Sequence, residues 1–260
     1  MSATLGQARL TKLVQMNHPP ESHRLRDLLT SYFWSGEAIR SRSVSGVVLF
    51  GTLDVPVPPA RLIADWDRET LRQGLEPGDV EPLSLARARV RWPDYAYCVK
   101  AVSDWTHTLG LLDVLSTSDV ALMACRGAMY HLDATHYGGA AFCNLFLSED
   151  RGLDLHFPST GRRIPLTRGT AVIFDTGQPH AVIQRGSSGF TVSDFAPDQD
   201  CTQLFLTWEL SVEDIHVGRA LGVTFDIDPV NALQMDEEQV WLNGARAVVC
   251  PDSGRCSRAD

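Results

Sequence analysis

Apolar residues recur at two different intervals along this chain, and the change falls near residue 118. Before it the spacing is helical. Leu62, Ile63, Trp66 and Thr70 share one face of a predicted helix over Pro58–Gln73, with two prolines at its start and Gly74 just past its end. Val99, Val102, Trp105, Leu109 and Leu112 do the same over Asp94–Leu112, with Asp94 placed to cap. After Ser118 the apolar stretches are short and are broken by Gly, Asp and Pro. They read as strands over Val120–Tyr130, Ala140–Leu147, Leu153–Phe157, Arg163–Leu166, Thr170–Phe174, His180–Gln184, Phe190–Phe195 and Thr202–Leu210. Ser45–Val55 reads as one earlier strand. Residues 1–45 are mostly polar and irregular, with a loop at Asn17-His18-Pro19-Pro20, because consecutive prolines cannot continue a helix.

About eight strands at this spacing imply a barrel or sandwich. The expected fold is mainly β with flanking helices: an N-terminal helical layer on one face of a double-stranded β-helix (jelly-roll or cupin-like). Residues 1–249 form a single domain in this reading, with the β-helix core at about 118–210. Residues 211–248 add a helix and a strand or two, and residues 250–260 form a frayed, flexible tail.

Composition narrows the partners. The chain has 260 residues, 44% of them hydrophobic and 21% charged, enough for a core that needs no staples. Its formal net charge of −9 argues against nucleic acid or an anionic membrane, both of which require a basic face. No apolar run is long enough for a transmembrane helix, and Met1–Leu13 lacks an apolar signal core. The six cysteines are scattered and read as free thiols of a cytoplasmic protein; Cys250 and Cys256 could pair or bind a metal, but no second Cys/His pair lies near them in sequence. Oligomeric state is not legible.

The chemistry concentrates in His131, Asp133 and His180. His-x-Asp puts two ligands on the same side at the end of one strand, and a histidine at the start of a later strand can close the face of an octahedron. Two imidazoles and one carboxylate leave three coordination positions open, the arrangement suited to Fe(II) and O₂. Alone, His-x-Asp also suits a surface turn.

Its context adds more. The motif closes an apolar strand. Leu147-Ser148, Phe157-Pro158 with Gly161, Gly169-Thr-Ala-Val-Ile-Phe-Asp175 and His180-Ala-Val182 then follow in order. Over residues 120–210 this pattern resembles the core of the Fe(II)/2-oxoglutarate-dependent dioxygenases, the prolyl-hydroxylase-like branch in particular. The resemblance implies iron held by His131, Asp133 and His180, with 2-oxoglutarate and O₂ as co-substrates. It also implies hydroxylation, or another oxidation, of an unactivated C–H bond in a small molecule such as an amino acid or natural-product intermediate.

The chain departs from the family at the cation that holds the far carboxylate of 2-oxoglutarate. Phe190 and Thr191 stand at one usual offset, and Gln203 stands where the last strand, Thr202–Trp208, should carry Arg. Gln donates hydrogen bonds but carries no charge. Arg126 is the first replacement, although its even number opposes the odd parity of His131; Arg185 is the second. Asn144 and Thr191, with Ser193, are candidates to line the chelator pocket. His136 reads as a loop residue, His156 as structural and His107 as a helix-surface residue. Trp34, Trp92 and Tyr130 read as core or lid. Two alternatives stay open: a metal-dependent oxygenase or cupin-like enzyme that does not use 2-oxoglutarate, and a non-catalytic β-barrel binding protein.

Overall fold

The computed structural model describes residues 28–196 and 199–259. The loop expected at Asn17–Pro20 lies outside the described residues.

The chain enters as a hairpin, β1 (Leu29–Ser35) and β2 (Ala38–Ser43), turned by Gly36 at φ 64°. This corrects the reading of residues 1–45 as irregular. Polar residues such as Ser31, Ser41 and Arg42 are fully buried here, so the hairpin carries no apolar alternation to read. Strand β3 (Val48–Thr52) follows. Helix α1 (Ala60–Gln73) buries Leu62, Trp66 and Thr70 and stops at Gly74, whose φ of 71° satisfies the last carbonyls. A short strand β4 (Val80–Leu83) and a helix α2 (Leu85–Arg91) come next, neither with a clear period. Helix α3 (Tyr95–Thr108) buries Cys98, Val102 and Trp105. It ends before Leu112 because Gly110 takes φ 77°, and Leu112 is exposed. Asp94 occupies its N-cap but makes no side-chain capping bond.

The run Val120–Tyr130 is two strands, β5 (Val120–Cys125) and β6 (Ala128–His131). Gly127 breaks it at φ 73°, and a Cβ there would lie 2.4 Å from the ring of Phe195. A residue with a side chain is excluded twice at this point. The break lets the chain leave one sheet and enter the other. Strand β7 (Ala140–Phe146), the hairpin β8 (Leu153–Phe157) and β9 (Arg162–Pro165), then β10 (Thr170–Asp175), β11 (His180–Gln184) and β12 (Gln203–Ser211) fall by turns in one sheet and the other, the hairpin staying within one. After them come α4 (Ile215–Leu221), α5 (Pro229–Ala232), β13 (Gln239–Leu242), β14 (Ala245–Val249) and β15 (Cys256–Arg258).

Two antiparallel sheets face each other: β3-β10-β7-β12-β5-β4 and β6-β11-β8-β9. This interleaving of consecutive strands is a double-stranded β-helix, as the sequence pattern predicts. Alternation sorts the six-stranded sheet. Leu122, Ala124, Cys143, Leu145, Ile173, Leu206 and Trp208 pack outward against α1–α3, with Trp66, Trp92 and Trp105. Phe146, Val172, Phe174 and Phe205 point inward, against Leu155, Phe157 and Ile164 of the smaller sheet. A third sheet, β15-β14-β13-β1-β2, joins the first and last strands of the described residues.

Two further expectations are corrected. Phe190–Phe195 is not a strand: it is a loop with a 3-10 turn over Val192–Asp194, which frees β12 to start only at Gln203. Residues 250–259 are docked rather than frayed. Tyr130 donates its backbone N–H to the Pro251 carbonyl at 3.0 Å, and Phe190 does the same to Asp252 at 3.0 Å. β15 pairs with β14. The tail thus bonds both the edge strand β6 and the Phe190 loop. Cys98, Cys125, Cys143, Cys201 and Cys250 are free thiols, and burial pushes those of Cys98 and Cys125 up to about 12. Among the described residues no helix is long and apolar enough to cross a membrane.

Candidate metal centre

The register brings distant residues into one row. His131 at the end of β6 lies directly opposite His180 at the start of β11. Asp133 follows β6 by two residues, and its backbone N–H bonds the Thr176 carbonyl at 2.9 Å. One ligand atom from each of the three side chains falls within 4.8 Å of the others. His131 Nε2 is 3.4 Å from Asp133 Oδ1, and His180 Nε2 is 3.3 Å from Asp133 Oδ2. Cis ligands with bonds of about 2.1 Å to one ion stand roughly 3 Å apart, so this spacing fits a shared metal.

The tautomers are fixed by what the other ring nitrogens meet. His131 Nδ1 lies 2.7 Å from the Met129 carbonyl, and His180 Nδ1 lies 3.0 Å from that of Gln178. A carbonyl only accepts, so each Nδ1 carries the proton and each Nε2 presents its lone pair inward. Such outer bonds orient metal ligands. Burial, reinforced by the neighbouring His131, pushes His180 down to about 4 despite the Asp133 carboxylate, so His180 is neutral near pH 7. For His131 burial also lowers the pKa, but the Asp133 hydrogen bond and charge outweigh it and the net shift is upward. Burial opposes ionisation of Asp133, yet the His131 hydrogen bond and the charges of His180 and His131 hold it below the usual carboxylate range.

The loop carrying Asp133 hangs from buried polar groups. Thr176 Oγ1 donates toward the carbonyls of Tyr137 and Ala140, at 2.7 and 2.9 Å. The neighbouring Asp175 is paired with Arg42, both side chains fully buried, at 2.6 and 2.9 Å. Arg42 Nε reaches the Gly138 carbonyl at 2.7 Å, so one guanidinium ties the N-terminal hairpin, β10 and the metal loop together. Gly138 has no room for a side chain, since a Cβ would lie 2.8 Å from Phe33 Cβ. Sequence reasoning missed Arg42; a lone Arg in a polar strand carries no signal of burial.

Apolar rings flank the site. Phe174 and Phe157 lie 4.7 and 6.1 Å from the His180 ring. The contacts continue from Phe174 to Phe142 and from Phe142 to the partly exposed Tyr137, a wall from the ligands to the surface.

The remaining candidates are distributed unevenly. Arg126 is spent elsewhere: its guanidinium bonds the carbonyls of Ala196 and Phe195, at 3.0 and 3.5 Å. The turn at Gly127 rotates it out of the strand pattern that His131 follows. Arg185 is paired with Asp150 and Asp154 at 2.9 Å. Thr191 and Ser193 are exposed on the loop that replaces the expected strand, so neither lines the pocket. Gln203 is fully buried between the sheets, but its amide nitrogen already donates to the Leu166 carbonyl at 3.2 Å. Asn144 points inward from β7, buried, and its Oδ1 has no hydrogen-bond partner among the described residues. His136 is exposed beside Thr135, and His107 is on the helix surface. His156 accepts from or donates to the Tyr130 hydroxyl at 2.5 Å on the outer face. Trp92 and Tyr130 are core, and Trp34 is half exposed.

No family model matches the chain, and no curated protein does. Solved structures with a related chain path include a Pseudomonas putida prolyl-4-hydroxylase, 17% identical, with a TM-score of 0.36 over 63% of this chain and 92% of that one. A viral collagen prolyl hydroxylase of Paramecium Bursaria Chlorella virus-1, in a 2-oxoglutarate complex, is 9% identical, with a TM-score of 0.36 over 62% of this chain and 94% of that one. EvdO2 from Micromonospora carbonacea var. aurantiaca, complexed with 2-oxoglutarate, is 13% identical, with a TM-score of 0.39 over 74% of this chain and 93% of that one.

Proposed function

We propose that this chain is a non-haem Fe(II)/2-oxoglutarate-dependent oxygenase acting on an unactivated C–H bond of a small molecule. One observation carries the reading: two Nε2 lone pairs and one carboxylate, from two strands and the loop between sheets, converge on a point inside the mouth of the β-helix. Two nitrogens and one oxygen on one face suit a ferrous ion with open positions better than a closed structural site. A ferrous ion bound there supplies dioxygen binding and oxidising power, with 2-oxoglutarate oxidised to succinate and CO₂.

The chain's own residues do the rest. His180 and His131 hold their Nδ1 protons on carbonyls, which fixes both rings and keeps Nε2 free. Asp133, held ionised, offsets part of the metal charge. Phe157, Phe174 and Phe142 line the inner wall with groups that exclude water and accept an apolar C–H. Tyr137 and Met129, both partly exposed, border the opening.

The test is anaerobic Fe(II) titration followed by succinate release with and without 2-oxoglutarate. One ion per chain and 2-oxoglutarate-dependent succinate are expected. His131→Ala and Asp133→Ala should abolish both while leaving the circular dichroism spectrum unchanged. A His131→Ala protein that turns over normally removes the assignment.

A further inference from the structure

The metal row continues across the four-stranded sheet to a cation that nothing above uses. His131 faces His180, and Ala181 faces His156, so one residue back along this register Phe157 stands beside His180. Phe157 in turn faces Arg162 at the start of β9. Residues directly opposed in antiparallel strands project from the same side of the sheet. Phe157 and Ile164 point between the sheets, and Arg162 therefore does too. Its guanidinium crosses the gap and lies over the ring of Phe50, 5.4 Å from the centroid. Among the described residues it forms no ion pair and no hydrogen bond. The other arginines considered for an anion, Arg126 and Arg185, are both engaged.

Phe50 belongs to a definite row of the opposite sheet. It faces Val172, which faces Asn144, which faces Thr207. Asn144 is 7% exposed and its Oδ1 has no partner. A buried, unsatisfied amide costs stability unless a ligand meets it. An Asn side chain can turn to present its NH₂ to an acceptor. The row next to it holds Phe174, which packs on His180. Asn144 thus sits one inward-facing residue past the Phe174 row, a step of roughly 6.6 Å along the strand, and the Arg162 guanidinium, whose backbone lies in the metal row two strands from His180, reaches the row of Asn144 at Phe50.

We propose that Arg162 and Asn144 seat the distal carboxylate of the 2-oxoacid bound at the metal, Arg162 as the cation and Asn144 as a second donor. This rests on the oxygenase reading. It assigns the missing cation to β9 instead of to the last strand, where Gln203 stands. The cation–π contact with Phe50 holds the guanidinium in place before the ligand arrives, and a guanidinium can meet both carboxylate oxygens at once.

The test is calorimetric, under anaerobic conditions, on the full chain loaded with Mn(II) or Fe(II). 2-Oxoglutarate and pyruvate are titrated separately, since pyruvate is a 2-oxoacid without the distal carboxylate. Wild type should bind 2-oxoglutarate more tightly than pyruvate by roughly 10- to 100-fold, the value of a charge-assisted hydrogen-bonded pair. Arg162→Met should remove that preference while leaving the pyruvate and Mn(II) constants unchanged. Arg162→Lys should keep part of it, and Asn144→Leu should lose part of it. An unchanged 2-oxoglutarate constant in Arg162→Met overturns the proposal, and assigns the cation to a carboxylate on the substrate if substrate affinity falls in its place. Wild-type protein that binds metal but neither oxoacid defeats the oxygenase reading, and this proposal with it.

Discussion

Replacing Arg42 by Met should unfold this protein more readily than any surface change, and the structure sets the size of the effect. The substitution keeps the aliphatic stem but removes the two bonds to Asp175 and the bond from Nε to the Gly138 carbonyl. Both partners are fully buried, so Asp175 is left as an anion with no access to water. It keeps two backbone donors, Ser45 at 2.7 Å and Gly177 at 2.8 Å, which stabilise the charge only in part. Removing one partner of a buried pair costs about 3–5 kcal/mol. For a domain of this size that corresponds to a loss of about 10 °C in Tm. The pairing, not either residue alone, sets the penalty. Arg42→Met combined with Asp175→Asn leaves no buried charge, and should lose about 2 kcal/mol less than the sum of the single changes. The assay is equilibrium urea unfolding of the metal-free protein at pH 7, for wild type, both single variants and the double. Because Gly138 and Thr176 anchor the loop that carries Asp133, the folded Arg42→Met protein should also bind metal more weakly. An Arg42→Met cost below about 1 kcal/mol, or strictly additive single changes, would refute the claim that this pair anchors the metal loop.

Other expectations follow from particular contacts. In the metal-free protein His180 has a pKa near 4 against an ordinary value of 6.5, so its folded value is depressed. Its contribution is therefore present above pH 6.5 and lost as pH falls toward 4, roughly 3 kcal/mol in all; a urea midpoint that rises over that interval would contradict this. Raised His131 must lose a proton to bind metal, so metal affinity measured by titration should fall about tenfold per pH unit once pH drops below its pKa. Gly127→Ala meets both a positive φ and the Phe195 ring, and should cost at least about 2 kcal/mol in urea unfolding. Truncation after Val249 removes the Pro251 and Asp252 carbonyls from Tyr130 and Phe190. Hydrogen exchange at those two amides should accelerate at least 10-fold, while that of β7 amides should not change.

What the sequence alone determined is what depends on local periodicity and on residue type. The apolar spacing of Leu62, Trp66 and Thr70 and of Val99, Val102 and Trp105 specifies α1 and α3, because one helical stripe must be buried. The period-two runs after Ser118 specify an interleaved pair of sheets, and His131, Asp133 and His180 stand out because imidazoles and a carboxylate at strand ends are chemically distinctive. Tertiary structure decided everything that turns on register and on partners far away in sequence. Arg162 and Arg163 are adjacent, yet only the pairing of β8 with β9 says which of them points between the sheets, since a one-residue slip exchanges the faces. Arg126 and Arg185 look like free cations in the sequence and are bound to loop carbonyls and to aspartates in the fold. Arg42 lies in a polar stretch that gives no sign of burial and is buried, because Asp175, more than a hundred residues away, completes its charge. The C-terminal residues are polar enough to suggest fraying, but they are held by backbone hydrogen bonds to β6 and to the Phe190 loop, and such bonds leave no imprint on side-chain composition.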